Sequence, residues 1–225
     1  MTMQENLSIS KATVDRLPRY YRCLRQLADE DVEIASSEEL GRRLAINPEQ
    51  IRKDLALFGQ FGKKGVGYYV AELKESIGSI LGLDQHWNVA IIGMGHLGAA
   101  LANYQGITRL GFRLAAIFDV NPVVIGTRVG ERRVEDIAYL AEIIAERDIR
   151  IGVIAVPAAA AQDVADRLVA AGIRGIWNFA PVNLRVPSHI PFVSEDLSVG
   201  LSSLSYYLAH VSTDSHVLSD KNPLI

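Results

Sequence analysis

Gly93-Met94-Gly95-His96-Leu97-Gly98 follows directly on the apolar segment Trp87–Ile92, and glycines at those three places leave the chain little choice of local fold. A strand must run into a helix there. Gly93 permits the tight turn, Gly95 lets the backbone approach a diphosphate, and Gly98 lets the helix pack close against the strand. The start of the helix also directs unpaired N–H groups at the anion. Met94, His96 and Leu97 share this turn and join the glycines as candidate contacts. The helix is predicted to reach about Tyr104, and the next strand to run from Arg113 to Phe118. Asp119 closes that strand, 21 residues after Gly98. A carboxylate there accepts hydrogen bonds from an adenosine ribose diol and repels a 2′-phosphate, which favours NAD(H) over NADP(H). A surface acid without a ligand is the alternative.

The alternation continues, with a helix predicted over 134–146, a strand over 151–156, a helix over 158–171 and a strand over 175–178. Such alternation implies an α/β domain, a Rossmann-type parallel doubly wound sheet, over residues 84–196. Val156 and Pro157, and Asn178-Phe179-Ala180-Pro181, fall at carboxyl ends of strands, where ligands bind in such sheets. Turn-making is their other reading.

Residues 1–83 form a separate domain in front of the glycine motif. A net charge of -3 argues against a general polyanion binder, but the charge is uneven. Arg42, Arg43, Arg52, Lys53, Lys63 and Lys64 face only Glu49 and Asp54 between positions 42 and 64. Between positions 11 and 25, Lys11, Arg16, Arg19, Arg22 and Arg25 face only Asp15. Ser10 caps that helix, predicted to reach about Asp29, with Pro18 expected to kink or break it. Ser36 and Glu39 have capping-box spacing for a second, short helix. Asn47 and Pro48 announce a third, to about Phe58.

The third helix buries Ile51, Leu55 and Phe58 and turns Gln50, Arg52, Lys53 and Ala56 outward. Arg52 and Lys53 suit guanine acceptors or phosphates, Gln50 suits adenine, and Ala56 allows close approach to thymine methyls. A solvated charged face is the competing reading. The segment 58–70 reads as strand, glycine-bounded basic turn and strand. Lys63, Lys64 and Gly65 stand at its tip, and Tyr68 on its return. Helix, helix and basic hairpin in this order point to a winged helix-turn-helix and to DNA.

The last segment, from Asp196 to His210, is apolar and needs a partner surface. A homodimer and packing onto its own domain both satisfy it. Residues 197–225 are set apart as a dimerisation helix and a flexible tail, disordered after Ser212. The longest apolar runs are too short or too interrupted to span a bilayer. With one cysteine, Cys23, and no apolar leader, a cytoplasmic setting is expected. No metal site is expected. A dehydrogenase would need a substrate region and an acid–base residue, and little chain remains for either. None of the five histidines has a clear partner, and His189 is the one to test for an NAD-dependent oxidoreductase with an added nucleic-acid-binding domain.

Several segments together resemble the bacterial redox-sensing repressor family Rex. They are Arg52-Lys53-Asp54-Leu55, Phe58-Gly59, Lys63 to Tyr68, Gly93 to Gly98, Asn178 to Pro181, and Asp196 to Leu201. The resemblance covers about 10–210. It implies a homodimeric repressor that holds palindromic operators when NADH is scarce and releases them when NADH rises, with NAD+ competing. The targets it implies are genes of respiration and fermentation. It further implies a swapped C-terminal helix, and a switch in which Asp196 of one subunit pairs alternately with Arg22 or Tyr104. Tyr104 would stand near the nicotinamide, with Ala100 and Leu197 lining an apolar pocket that favours the neutral reduced ring. Ala56 stands where such chains often carry Ser, and His96 where some carry Arg.

Overall fold

The computed structural model describes residues 9–63 and 65–210, which form two compact units, 9–84 and 85–210. The expectations for Lys64 and for the tail after Ser212 lie outside the described residues.

The first unit contains α1 (Lys11–Asp29), β1 (Ile34–Ala35), α2 (Ser37–Leu44), α3 (Pro48–Ala56), β2 (Tyr68–Tyr69) and α4 (Val70–Ile80). Its helices begin where side chains satisfy orphan donors. Ser10 Oγ accepts from the Thr13 N–H at 3.2 Å, Ser36 Oγ from Glu39 at 3.1 Å and Asn47 Oδ1 from Glu49 at 2.8 Å. Each such cap is worth about 1 kcal/mol. Leu17, Tyr20, Leu24 and Leu27 of α1 close over Ile51 and Leu55 of α3 and Leu73 and Ile77 of α4. Full burial contributes about 1.5–3 kcal/mol for each aliphatic side chain.

Three local expectations change here. α1 runs through Pro18 unbroken. Pro18 and Val14 are both exposed, so water can serve the carbonyl that the missing N–H leaves free. The outgoing strand of the wing does not form over 58–62, because Phe58 and Phe61 turn onto the helical core instead of extending along a ladder. What remains is a tight turn closed by the Lys63 N–H donating to the Gly67 carbonyl at 2.9 Å. The return strand β2 pairs antiparallel with β1, Ala35 opposite Tyr68, so the wing is anchored to the segment between α1 and α2. Finally, α4 starts at Val70, and its Val70, Leu73 and Ile77 follow the helical period.

The second unit contains β3 (Trp87–Ile92), α5 (His96–Ala102), α6 (Gln105–Arg109), β4 (Phe112–Asp119), β5 (Arg128–Val129) and β6 (Arg132–Asp136). A 3-10 turn, Ile137–Tyr139, leads to α7 (Leu140–Glu146), β7 (Ile149–Ile154), α8 (Ala158–Ala170), β8 (Gly175–Asn178), β9 (Phe192–Ser194) and α9 (Ser198–His210). The sheet order is β5-β6-β4-β3-β7-β8-β9, and every neighbouring pair except β5–β6 is parallel. The chain winds outward from β3 in both directions, the arrangement of a doubly wound nucleotide-binding sheet. Side chains alternate across β3. Ala90 and Ile92 join Phe118, Ile154 and the α8 residues Val164 and Leu168 on one face, while Val89 and Ile91 join Val153 and Leu101 on the other.

The helix predicted over 134–146 divides. Val134 lies opposite Ile117 in a parallel strand, and Asp136 Oδ1 accepts from the Ala138 N–H at 2.8 Å, so helical structure starts only after that cap. The strand predicted over 151–156 runs instead from Ile149 to Ile154. The helix after the glycine turn stops at Ala102, two residues short of Tyr104. β9 follows Pro191 and adds a parallel edge strand. No residue of α9 is buried: Leu201 is 69% exposed and Leu208 84%.

Candidate functional site

The glycine turn has the build its spacing implies. Gly93 adopts φ +100°, and a Cβ there would sit 2.6 Å from the Ala155 carbonyl oxygen. A Cβ on Gly98 would collide with the carbonyl oxygen of Gly93. Both glycines are therefore demanded by the fold itself. Gly95 is different, because its φ of -71° suits any residue and a Cβ would meet nothing within 4 Å. Open space over an unconstrained glycine is what close approach of a diphosphate requires.

Asp119 closes this turn from the end of β4. Its Oδ2 accepts from the Met94 N–H at 2.6 Å, and its Oδ1 from the Asn121 N–H at 2.8 Å. The carboxylate is thus fixed beside the open glycine, at the edge where a ribose diol would lie. His96 and Leu97 open α5, and Ala100 is exposed on it. Val156 is half-buried after β7, and Pro157 is exposed at the start of α8. Phe179 leans on Trp177 with ring centres 4.5 Å apart. Tyr104 is 62% exposed between α5 and α6, and Leu197 69% exposed before α9.

Two members of the predicted set serve the scaffold. Asn178 is fully buried, and its amide donates to Ala180 O at 2.9 Å and Ser194 Oγ at 3.0 Å while accepting from the Ala180 N–H at 3.0 Å. Asn178 and the buried Ala180 therefore shape the loop after β8, while Phe179 between them is half-buried. Their polar groups are already spent within the fold.

On the first unit, Arg52, Lys53 and Ala56 lie exposed along α3, and Lys63 and Gly65 lie exposed on the turn. Lys63 Nζ stands 5.4 Å from the centre of the Tyr69 ring, and Gly65 takes φ +81° at a point where a Cβ would meet nothing within 4 Å. Arg52 bonds Ser37 Oγ at 2.7 Å and Glu38 at 3.0 Å, and Lys53 pairs with Glu49 at 2.9 Å. These pairs are solvent-exposed, and exposed pairs typically contribute 0 to about 1 kcal/mol. Both cations can therefore exchange their carboxylate partner for a phosphate at little cost. Tyr68 departs from expectation: it is buried in the core, and burial pushes its phenol up. Its backbone builds the wing while its ring packs inside.

Sequence reading gave Asp54 no role beyond offsetting charge. The structure places it at the centre of the unit, 1% exposed. Arg16 grips it with Nε at 2.6 Å and an Nη at 2.7 Å, while the Tyr20 hydroxyl donates at 2.6 Å and Gln50 Nε2 at 2.8 Å. Burial alone would raise its carboxyl, but the hydrogen bonds from Arg16, Tyr20 and Gln50 prevail and hold it below the usual carboxylate range. Tyr20 is pushed up, first by burial and then by its bond to Asp54. Gln50 is consequently half-buried, not free in solvent. Its spacing of four from Asp54 on one helix was the available signal.

Arg22 is exposed on α1 in the first unit. In the second, Asp196 accepts from the Ser198 N–H at 2.8 Å and from Ser198 Oγ at 2.6 Å, which holds its carboxyl low. Cys23 is buried, and burial pushes its thiol up, away from reactivity.

Similarity to known proteins extends over both units. Residues 8–56 match the family described as putative DNA-binding protein N-terminus, and residues 84–182 the CoA binding domain family. Coenzyme A and NAD share an adenosine diphosphate, the part a glycine turn holds. The redox-sensing transcriptional repressor Rex of Clostridium perfringens is 45% identical over 92% of this chain and 98% of its own. That of Syntrophomonas wolfei is 48% identical over 89% and 96%. The chain belongs to the Rex family of redox-sensing transcriptional repressors.

The Rex fold is shared with RSP, a Rex-family repressor. A solved complex of RSP with β-NAD+ and operator DNA superposes with a TM-score of 0.84 at 43% identity, over 92% of this chain and 94% of RSP. A complex of RSP with β-NADH gives 0.83 at 42% identity, over 89% and 94%. Rex membership sets aside the oxidoreductase reading and His189 with it. Among the described residues, no helix is long and apolar enough to cross a membrane.

Proposed function

We propose that this chain is a homodimeric repressor that binds a palindromic operator and lets it go when NADH occupies the glycine turn. The observation that carries the reading is the joint presence of two built sites: a basic α3 with its tethered turn, and the open Gly95 beside a fixed Asp119. The relatives bind what these sites suit, since RSP has been solved with operator DNA and with both forms of the nucleotide.

On the DNA side, Arg52, Lys53, Lys63 and Lys64 meet phosphates or guanine, Gln50 and Ala56 meet base edges, and Gly65 allows close approach. On the nucleotide side, the turn from Gly93 to Gly98 holds the diphosphate and Asp119 the ribose. Val156, Pro157 and Phe179 border the nicotinamide half, with Ala100, Tyr104 and Leu197 around an apolar ring site. Bound NADH serves as a signal and supplies no hydride here. An apolar ring site discriminates against the charged oxidised ring, since unpaired charge is costly to desolvate. Asp196 alternating between Arg22 and Tyr104 across the dimer supplies two discrete states. The reducing cytoplasm, where the operator resides, is the compartment, and genes of respiration and fermentation are the targets.

Titrating NADH onto an operator complex at fixed NAD+ tests this reading by fluorescence anisotropy. The expected result is a loss of DNA affinity of about a hundredfold, which needs only ~3 kcal/mol of coupling. Coenzyme A in place of NADH is expected to do nothing. Operator affinity that ignores NADH would overturn the reading.

Dimerisation rests on α9, whose apolar residues have no cover among the described residues of one chain. Leu201→Asp with Leu204→Asp is expected to weaken self-association about a hundredfold or more, because each carboxylate would be buried unpaired. Sedimentation of the variant as a dimer at micromolar concentration contradicts this.

A further inference from the structure

Gln50 is the third residue of α3 and lies in its first turn, the part of a recognition helix that meets base edges. Its amide is not free to choose an orientation. Asp54 Oδ1 sits 2.8 Å from Gln50 Nε2, and an ionised carboxylate only accepts, so the NH2 group must face it. Asp54 itself cannot turn away. Arg16 Nε and the Tyr20 hydroxyl hold Oδ2 at 2.6 Å, and an Arg16 Nη holds Oδ1 at 2.7 Å. Thr13 Oγ1 adds a long bond at 3.4 Å. Among the described residues, the Gln50 carbonyl oxygen and second N–H have no protein partner. One acceptor beside one donor is the pair that matches N6–H and N7 of adenine.

We propose that Asp54 is a positioning residue for base recognition: it locks the Gln50 amide in the orientation that reads an adenine, through a buried carboxylate anchored on α1. This rests on α3 being the DNA-recognition helix. The anchoring groups lie 34 and 38 residues away in sequence, on Tyr20 and Arg16, so the orientation of one side chain at the DNA surface is set by the body of the domain. Arg52 and Lys53 pair with the exposed carboxylates of Glu38 and Glu49, a weaker restraint than a buried anchor. Discrimination at one base pair per half-site therefore belongs to Gln50 and Asp54 together.

Selection of duplexes from a random-sequence library by the full-length chain gives the reference base profile. Asp54→Asn and Gln50→Met are expected to lose about tenfold discrimination at the same A·T pair, the loss of one bidentate contact, and the double variant no more. Tyr20→Phe removes an anchor bond without touching Gln50, and is expected to lower thermal stability while keeping the profile. A second measurement needs no substitution: in the DNA-free wild type, one Gln50 side-chain N–H is expected to be protected from exchange relative to the exposed Gln60. An unchanged profile in Gln50→Met, relaxation at different base pairs in the two single variants, or an unprotected Gln50 amide overturns the proposal. A wild-type chain that enriches no sequence overturns the repressor reading, and this proposal with it.

Discussion

Asp54→Ala is expected to remove about 3–5 kcal/mol from the stability of the first unit, the cost of breaking one side of a buried ion pair. The loss should fall toward the lower end, because the Arg16 side chain keeps 22% exposure and recovers some hydration. Both tryptophans, Trp87 and Trp177, lie in the second unit. Urea unfolding followed by helical circular dichroism should therefore shift early, while tryptophan fluorescence keeps its midpoint. The same carboxyl sets an acid limit. Its folded pKa is depressed, so its contribution is fully present above the unfolded value of about 3.9 and fades as pH falls through the lower folded value. Tyr20 works in the opposite sense. Its folded pKa is raised, so its share persists below about 10 and is lost as pH climbs further. In Asp54→Ala the acid limb should flatten. Coincident shifts of both signals, or an acid limb identical to wild type, would show that the carboxylate does not hold the unit together.

Gly95→Val is expected to leave the fold intact and abolish the response to NADH. The backbone at Gly95 is already in a region that valine accepts, and its Cβ meets nothing within 4 Å. The isopropyl group would then fill the space a diphosphate needs. Operator affinity without nucleotide should match wild type, and the hundredfold loss on adding NADH should vanish, a change of ~3 kcal/mol in coupling. Gly98→Ala makes the contrast: its methyl collides with the Gly93 carbonyl, so it should fail by lowering the melting temperature. A Gly95→Val chain that still leaves the operator at wild-type NADH concentrations would remove the glycine turn from the mechanism.

These two substitutions mark different kinds of legibility. The glycine turn could be read directly, because backbone conformation and close approach are met by only one residue type, and a strand and a helix flank it. The caps at Ser10, Ser36 and Asn47 were equally plain, since each satisfies donors two or three residues away. Elements whose identity depends on a distant neighbour were harder. Val134 with charges on either side resembles a helix start, and becomes a strand because Ile117 waits beside it. Phe58 to Gly62 precedes a basic turn and a second strand as the first arm of a hairpin would, yet the helical core offers Phe58 and Phe61 more burial than a lone ladder. Tyr68 and Asn178 have the chemistry of ligand contacts, and burial assigned both to the scaffold.

By itself, then, the sequence determined a basic helix-turn-helix, a nucleotide-binding turn with its ribose carboxylate, and an apolar C-terminal helix in need of a partner surface. All of these rest on spacings of a few residues, or on side-chain chemistry that needs no partner. Only the tertiary structure decided which polar groups remain available. Asp54 reads in the chain as one acid among basic neighbours; folding brings Arg16 and Tyr20 onto it and makes it the anchor of α3. A buried carboxylate must gather donors wherever the fold can supply them, and here all but Gln50 come from another helix.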